Sequence, residues 1–226
     1  MKLLIIDSAK GAQTFIHSIR AIKHLDFNLV KLALPNFSKV NKQMLRDYTL
    51  KLLTSNLQSK QTLKKYDLCI IMCISASSSI FDILIKHNFI IANTLIIEPI
   101  IPMCLYIKKH KYKTLLILSS SLTHKIGWIS KLLKGQSFNI VYASLNLLEN
   151  EITNSVKVND ALSKLISYKA FIAKCDGIII GCSSYSLIKP IITRELKSNY
   201  NFNGELVDSS VITFDYYKAL FSNTYR

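Results

Sequence analysis

The sequence predicts an α/β protein made of two pseudo-symmetric parallel-sheet α/β domains, with a functional cleft between them. Three observations predict it. Short, almost wholly apolar runs such as residues 68–74 and 178–180 recur along the 226-residue chain, as expected of strands buried on both faces. Stretches of roughly ten to fifteen residues with helical spacing separate them, the rhythm of βαβ units. The two halves also repeat one shape. Asp67 and Asp176 each open an apolar run that ends at a thiol, Cys73 or Cys182, followed by small hydroxylated residues.

Taken in order, residues 2–6 form a first strand ending at Asp7-Ser8, and a helix follows around Phe15, Ile16, Ile19 and Ile22. Residues 28–34 form a second strand, stopped by Pro35-Asn36, and 40–57 a helix through Met44, Leu45, Tyr48, Leu52 and Leu53. Residues 68–74 are the strand carrying Cys73, and Ile80, Ile83 and Leu84 mark the helix after it. Residues 94–97 close the first half at Glu98-Pro99. The second half begins with a strand at 114–118 that ends in Ser119-Ser120-Ser121, then a helix through Ile126, Ile129 and Leu132 towards Gly135. Strand 139–143, a helix over 159–173 and strand 178–180 follow, and the next helix, 187–196, carries Pro190 in its first turn. Residues 206–207 are a last short strand before a terminal helix. The expected division is 1–97 plus 208–226 for one domain and 98–207 for the other, with no low-complexity linker between them.

Half of the residues are hydrophobic, so a membrane span has to be considered. Asp67, Asp82, Glu98, Pro99, Lys108 and Lys109 interrupt every long apolar run before it reaches the roughly 18 residues a spanning helix requires. The N-terminus has no long apolar core followed by a small-residue cleavage site, and a cytoplasmic protein with no membrane partner is expected. The net charge of +15 suggests an anionic partner, but the basic residues are nearly all Lys and are scattered, so no nucleic-acid partner is expected and an anionic small substrate is favoured. Five cysteines, several inside apolar strands, suit a reducing compartment better than a disulfide scaffold. Cys69 and Cys73 are four apart, but no second pair and no nearby His completes a zinc set, so no metal is expected. Cys69, Cys104 and Cys175 read as small core residues, Asp208 and Ser209 as structural, and the histidines as surface groups, of which only His124 falls near the cleft.

Parallel sheets gather ligand chemistry at the C-terminal ends of their strands. Asp7-Ser8, Cys73 with Ser75, Ser119–Ser121 with Thr123, Cys182–Ser184 and Asp208–Ser210 all fall there. A glycine before Cys182 lets the chain turn tightly, and a helix beginning just after a sulfur offers free N–H groups that favour a thiolate.

These segments resemble the glutamate racemases of the aspartate/glutamate racemase family. Asp7-Ser8-Ala9-Lys10-Gly11 is similar to that family's Asp-Ser-Gly-x-Gly, Cys73-Ile74-Ser75-Ala76-Ser77 to its Cys-Asn-Thr-Ala-Ser, and Gly181-Cys182-Ser183-Ser184-Tyr185 to its Gly-Cys-Thr-His-Tyr. Val207-Asp208-Ser209 matches a late Val-Asp-Ser, and Pro35-Asn36-Phe37 falls where Pro-Tyr-Gly is expected. The resemblance runs from residue 1 to about 212, in order. It implies racemisation of L-glutamate to D-glutamate for peptidoglycan synthesis, without a cofactor. Cys73 and Cys182 would be the acid/base pair, Asp7 would assist Cys73, and Ser8, Ser75, Ser120, Thr123, Ser183 and Ser184 would hold an amino-acid substrate. The resemblance also allows a homodimer. The sequence departs from the family at Ser184, where a histidine stands, and at Ile74, where an asparagine stands, and Ala9 and Phe37 replace glycines. The alternatives are a catalytically impaired racemase fold with a binding or regulatory role, and a related aspartate racemase.

Overall fold

The runs at residues 2–7, 68–71, 114–119 and 177–181 become strands because their side chains have an apolar layer to enter on both sides. In the computed structural model, which describes residues 1–7, 11–20, 22, 25–32, 40–58, 65–145, 151–152 and 154–222, these strands assemble into two sheets. The first contains β1 (Lys2–Asp7), β2 (Asp26–Lys31), β3 (Leu68–Ile71), β4 (Ile90–Ile91) and β5 (Thr94–Ile97), in the order β2-β1-β3-β5-β4. The second contains β6 (Thr114–Ser119), β7 (Asn139–Ala143), β8 (Gly177–Gly181) and β9 (Glu205–Asp208), in the order β7-β6-β8-β9. Among the described residues all strand pairings are parallel except β4 with β5.

Helices α1 (Gln13–Arg20), α2 (Lys42–Leu57) and α3 (Ile74–Lys86) accompany the first sheet. α4 (Ile100–His110), α5 (Ser121–Ile126), α6 (Trp128–Leu132), α7 (Ser155–Ser163), α8 (Lys169–Ile172) and α9 (Lys189–Tyr200) accompany the second, and α10 (Ser209–Ser222) follows β9. Among the described residues the core has four apolar clusters. On one face of the first sheet, Leu4, Ile6, Cys69 and Ile71 meet Leu45 and Leu53 of α2 and Ile80 and Leu84 of α3. On its other face, Leu3, Ile5, Ile70 and Ile97 meet Phe15 and Ile19 of α1 and Phe221 of α10. In the second sheet Ile178 and Ile180 face α7 and α9, while Ile117 and Ile179 face α4 and α6. The latter cluster also takes in Ile74 and Phe81 of α3 and Ile212 of α10, so it joins the two sheets.

The structure differs from the sequence expectations in several places, among them α4, which was not expected, and the expected helix through Ile126, Ile129 and Leu132, which Gly127 at φ +75° divides into α5 and α6. Cys73 does not belong to strand 68–74: β3 stops at Ile71, and Cys73 is the N-cap of α3. The expected helix over 159–173 is divided into α7, a 3₁₀ helix at Lys164–Tyr168, and α8. The expected helix 187–196 is preceded by a 3₁₀ helix at Ser183–Ile188, and Pro190 sits in the first turn of α9 as expected. The hairpin between β4 and β5 was not anticipated. Its turn puts Ala92 and Asn93 at φ +48° and +59°, a left-handed pair for which Ala92 gives no sequence signal. Part of the expected strand 28–34 and all of Pro35-Asn36-Phe37 lie outside the described residues.

Candidate active site

The register of the two sheets decides which side chains share an end. Ile6 pairs with Ile71, and the Met72 N–H donates to Ile6 O at 2.9 Å, so Asp7 and Cys73 emerge side by side. Ser119 pairs with Gly181, which sets Ser120 beside Cys182. Gly181 allows this because a Cβ there would lie 3.0 Å from Ile117 Cγ2.

Cys73 is buried, 6% exposed, at the start of α3. Burial pushes its thiol well above the ordinary range, and the Asp7 carboxylate and the Cys182 sulfur raise it further as like charges. The amides of Ala76 and Ser75 act the other way but do not prevail. The helix-start amides act in the expected direction, towards thiolate, but desolvation outweighs them and the net shift of Cys73 is upward. Cys182 is less enclosed, at the N-cap of the 3₁₀ helix Ser183–Ile188.

The candidate hydroxyls form two contacts between the sheets. Ser75 Oγ, on α3, lies 2.7 Å from Ser120 Oγ and 2.9 Å from Thr123 Oγ1, and the latter two are 3.0 Å apart. Ser120 also caps α5 by accepting the Thr123 N–H at 3.1 Å. Ser183 Oγ donates to Asp7 Oδ1 at 2.9 Å. Asp7, Ser75, Thr123, Ser183 and Ser184 are all buried. Ser8 and Ala9 lie outside the described residues. Ile74, where an asparagine was expected by resemblance, is 2% exposed and belongs to the apolar cluster with Phe81, Ile100 and Ile129.

Sequence reasoning missed two features. Gly11 packs so closely that a Cβ would fall on Ser183 Oγ and lie 2.5 Å from Asp7 Oδ2, and its signal was only a glycine after Asp7. Glu98 is fully buried and accepts from the Ile100 and Ile101 amides at 2.6 and 2.9 Å and from Ser77 Oγ at 3.1 Å. Burial pushes its carboxyl up to about 7. Asp208 is structural, as expected: it accepts from Ser186 Oγ and the Ser210 N–H, both at 2.8 Å, and so caps α10.

Cys69, Cys104 and Cys175 are buried, as expected of core residues. His17, His87, His110 and His124 are exposed; His110 stacks between Tyr106 and Tyr112, and His124 stacks on Tyr142. Among the described residues no group of three His, Cys, Asp or Glu side chains is arranged to hold a metal ion, and no helix is long and apolar enough to cross a membrane. A groove of about 800 Å³ lies elsewhere, between α4, β9 and α10, and contains neither thiol.

No protein-family model matches this sequence, and neither does any curated protein. Solved structures do. Glutamate racemase from Aquifex pyrophilus superimposes with a TM-score of 0.72 at 21% identity, over 97% of this chain and 84% of that one. Glutamate racemase from Campylobacter jejuni subsp. jejuni gives 0.74 at 20% identity, over 97% and 86%. Aspartate racemase from Picrophilus torridus gives 0.58 at 18% identity, over 96% and 92%. In its fold, this chain is similar to amino-acid racemases, glutamate racemases prominent among them.

Proposed function

We propose that the protein is a cofactor-independent amino-acid racemase acting on glutamate, with Cys73 and Cys182 as its acid/base pair. The observation that carries this is the pair of thiols, each just beyond a parallel strand of its own sheet, with Asp7 and Cys182 both within electrostatic reach of Cys73. Racemisation requires a proton to leave one face of Cα and another to arrive on the opposite face. One thiolate takes the first proton and the opposed thiol supplies the second. In one direction Cys73 acts as acid and Cys182 as base, and burial, which raises the Cys73 thiol, favours Cys73 as the proton donor. The reverse direction runs the same path backwards: with Cys182 as thiol, the Cys73 proton passes to Asp7, the thiolate left behind takes the Cα proton of the other enantiomer, and Cys182 gives its proton to the opposite face. Ser75, Ser120 and Thr123 receive the substrate's carboxylate, and hydroxyl and amide donors at the helix starts stabilise the carbanion. Residues 1–97 with 208–226, and residues 98–207, act as the two sides of the cleft. In a walled bacterium the product would be D-glutamate for peptidoglycan.

A second reading, a racemase fold retained for binding after loss of turnover, is favoured by Ser184 and Ile74, which stand where catalytic and substrate-binding side chains are expected. Incubation with L-glutamate in D₂O separates the two. Exchange at Cα that disappears in Cys73→Ser and in Cys182→Ser supports turnover. Folded protein that exchanges neither glutamate nor aspartate would rule it out.

A further inference from the structure

We infer that Ser183 is a positioning residue for Asp7 and not a substrate contact, so that the carboxylate beside Cys73 is held in place by the residue that follows Cys182. The inference rests on the racemase reading above. Ser183 Oγ donates to Asp7 Oδ1 at 2.9 Å, and both residues are buried, at 2% and 0% exposure. A serine hydroxyl has one proton to donate. That of Ser183 is committed to Asp7 and is not available to a substrate carboxylate. The three hydroxyls of Ser75, Ser120 and Thr123 differ, because either partner in each contact can donate and the protons can be redirected to a ligand. Gly11 encloses the Ser183–Asp7 pair: the position of a Cβ there lies 2.8 Å from Ser183 Cβ and 2.5 Å from Asp7 Oδ2. No ligand atom fits between them on that side.

The consequence is a proton path that depends on how the sheets are disposed. When Cys73 acts as base, its S–H bond breaks, the proton forms an O–H bond with Asp7, and the sulfur remains as thiolate; the return step reverses this. Asp7 can accept that proton only while its carboxylate is aimed at the sulfur. Ser183 provides the aim from the opposite sheet, because β8 leads directly through Cys182 to it. Separation of the sheets would withdraw Ser183, so Asp7 is set for proton transfer only when the cleft is closed.

The test compares Ser183→Ala, Ser183→Thr, Asp7→Asn and the Ser183→Ala/Asp7→Asn double variant. Alkylation of Cys73 by iodoacetamide, followed across pH by mass spectrometry, does not require turnover. Cys182, the other group acting on Cys73, is the same throughout the series. Asp7→Asn removes a like charge and moves the Cys73 midpoint to lower pH. Ser183→Ala should move it the same way, as the released carboxylate turns aside; the double variant should go no further than Asp7→Asn, and Ser183→Thr should retain the wild-type midpoint. An unmoved midpoint in Ser183→Ala or in Asp7→Asn overturns the inference. Kinetics supply the second readout: Ser183→Ala should lower kcat by about tenfold or more with KM within about threefold, and Ser183→Thr should recover most of it. A raised KM at unchanged kcat would make Ser183 a substrate contact and overturn the inference. Wild-type protein without any Cα exchange would defeat the racemase reading alone, and the alkylation series would still decide the role of Ser183.

Discussion

Ser75 Oγ and Ser120 Oγ lie 2.7 Å apart, so a hydroxyl on a helix of the first sheet touches one at a strand end of the second. With Thr123 they close a ring of three hydroxyls. This ring fastens the two halves to each other.

Replacing Ser75 with Ala removes two of the three contacts in the ring. Urea denaturation should show a loss of about 1–2 kcal/mol, the usual range for buried hydrogen bonds of this kind. The lone tryptophan offers a local probe, since Trp128 lies 5.1 Å from Phe81, on the same helix as Ser75. Its emission should shift in Ser75→Ala before global unfolding begins.

Gly11→Ala forces a methyl group onto Ser183 Oγ and Asp7 Oδ2. Either the loop lifts or the Ser183–Asp7 bond breaks. A loss of about 1–3 kcal/mol in a thermal or chemical melt is expected from overpacking of this kind. Exchange of the substrate Cα proton should fall with it.

Glu98 makes stability depend on pH. Its folded-state value, about 7, is raised above an ordinary 4.5, so its contribution is complete at acid pH and is lost as pH rises through about 7. The displacement corresponds to roughly 3 kcal/mol between those limits. Chemical denaturation at pH 5 and pH 8 should show the wild type losing more stability than Glu98→Gln over that interval. Equal slopes in the two proteins would contradict this.

Ser186→Ala leaves Asp208 with one fewer donor in a site where burial already raises its carboxyl. A stability loss of about 1–3 kcal/mol is expected. Part of it should recover on lowering the pH, because a protonated Asp208 needs fewer donors. Denaturant midpoints at pH 4.5 and 7.5 would check this.

The strands and their ends were legible because runs such as Ile178-Ile179-Ile180 fit only a strand covered on both faces, and because Asp7, Cys73, Ser120 and Cys182 interrupt apolar sequence abruptly. Local pattern could not convey distant pairing. Ser183 and Asp7 are 176 residues apart, and nothing in either segment specifies that one donates to the other. The burial of Glu98 was hidden for the same reason: a Glu-Pro pair reads as a turn, and only the assembled α3 and α4 enclose the carboxylate. The Ala92-Asn93 turn escaped notice because an alanine held at positive φ leaves no mark in a sequence.

α10 enters the core between the sheets at Ile212 and finishes against the first sheet, where Phe214 and Phe221 each set a ring 6.2 Å from that of Phe15. A ribosome delivers those rings more than a hundred residues after β5. Until then one apolar face of the N-terminal sheet lacks part of its cover, and early folding must proceed with that face partly open. The sheet that is made first is completed last.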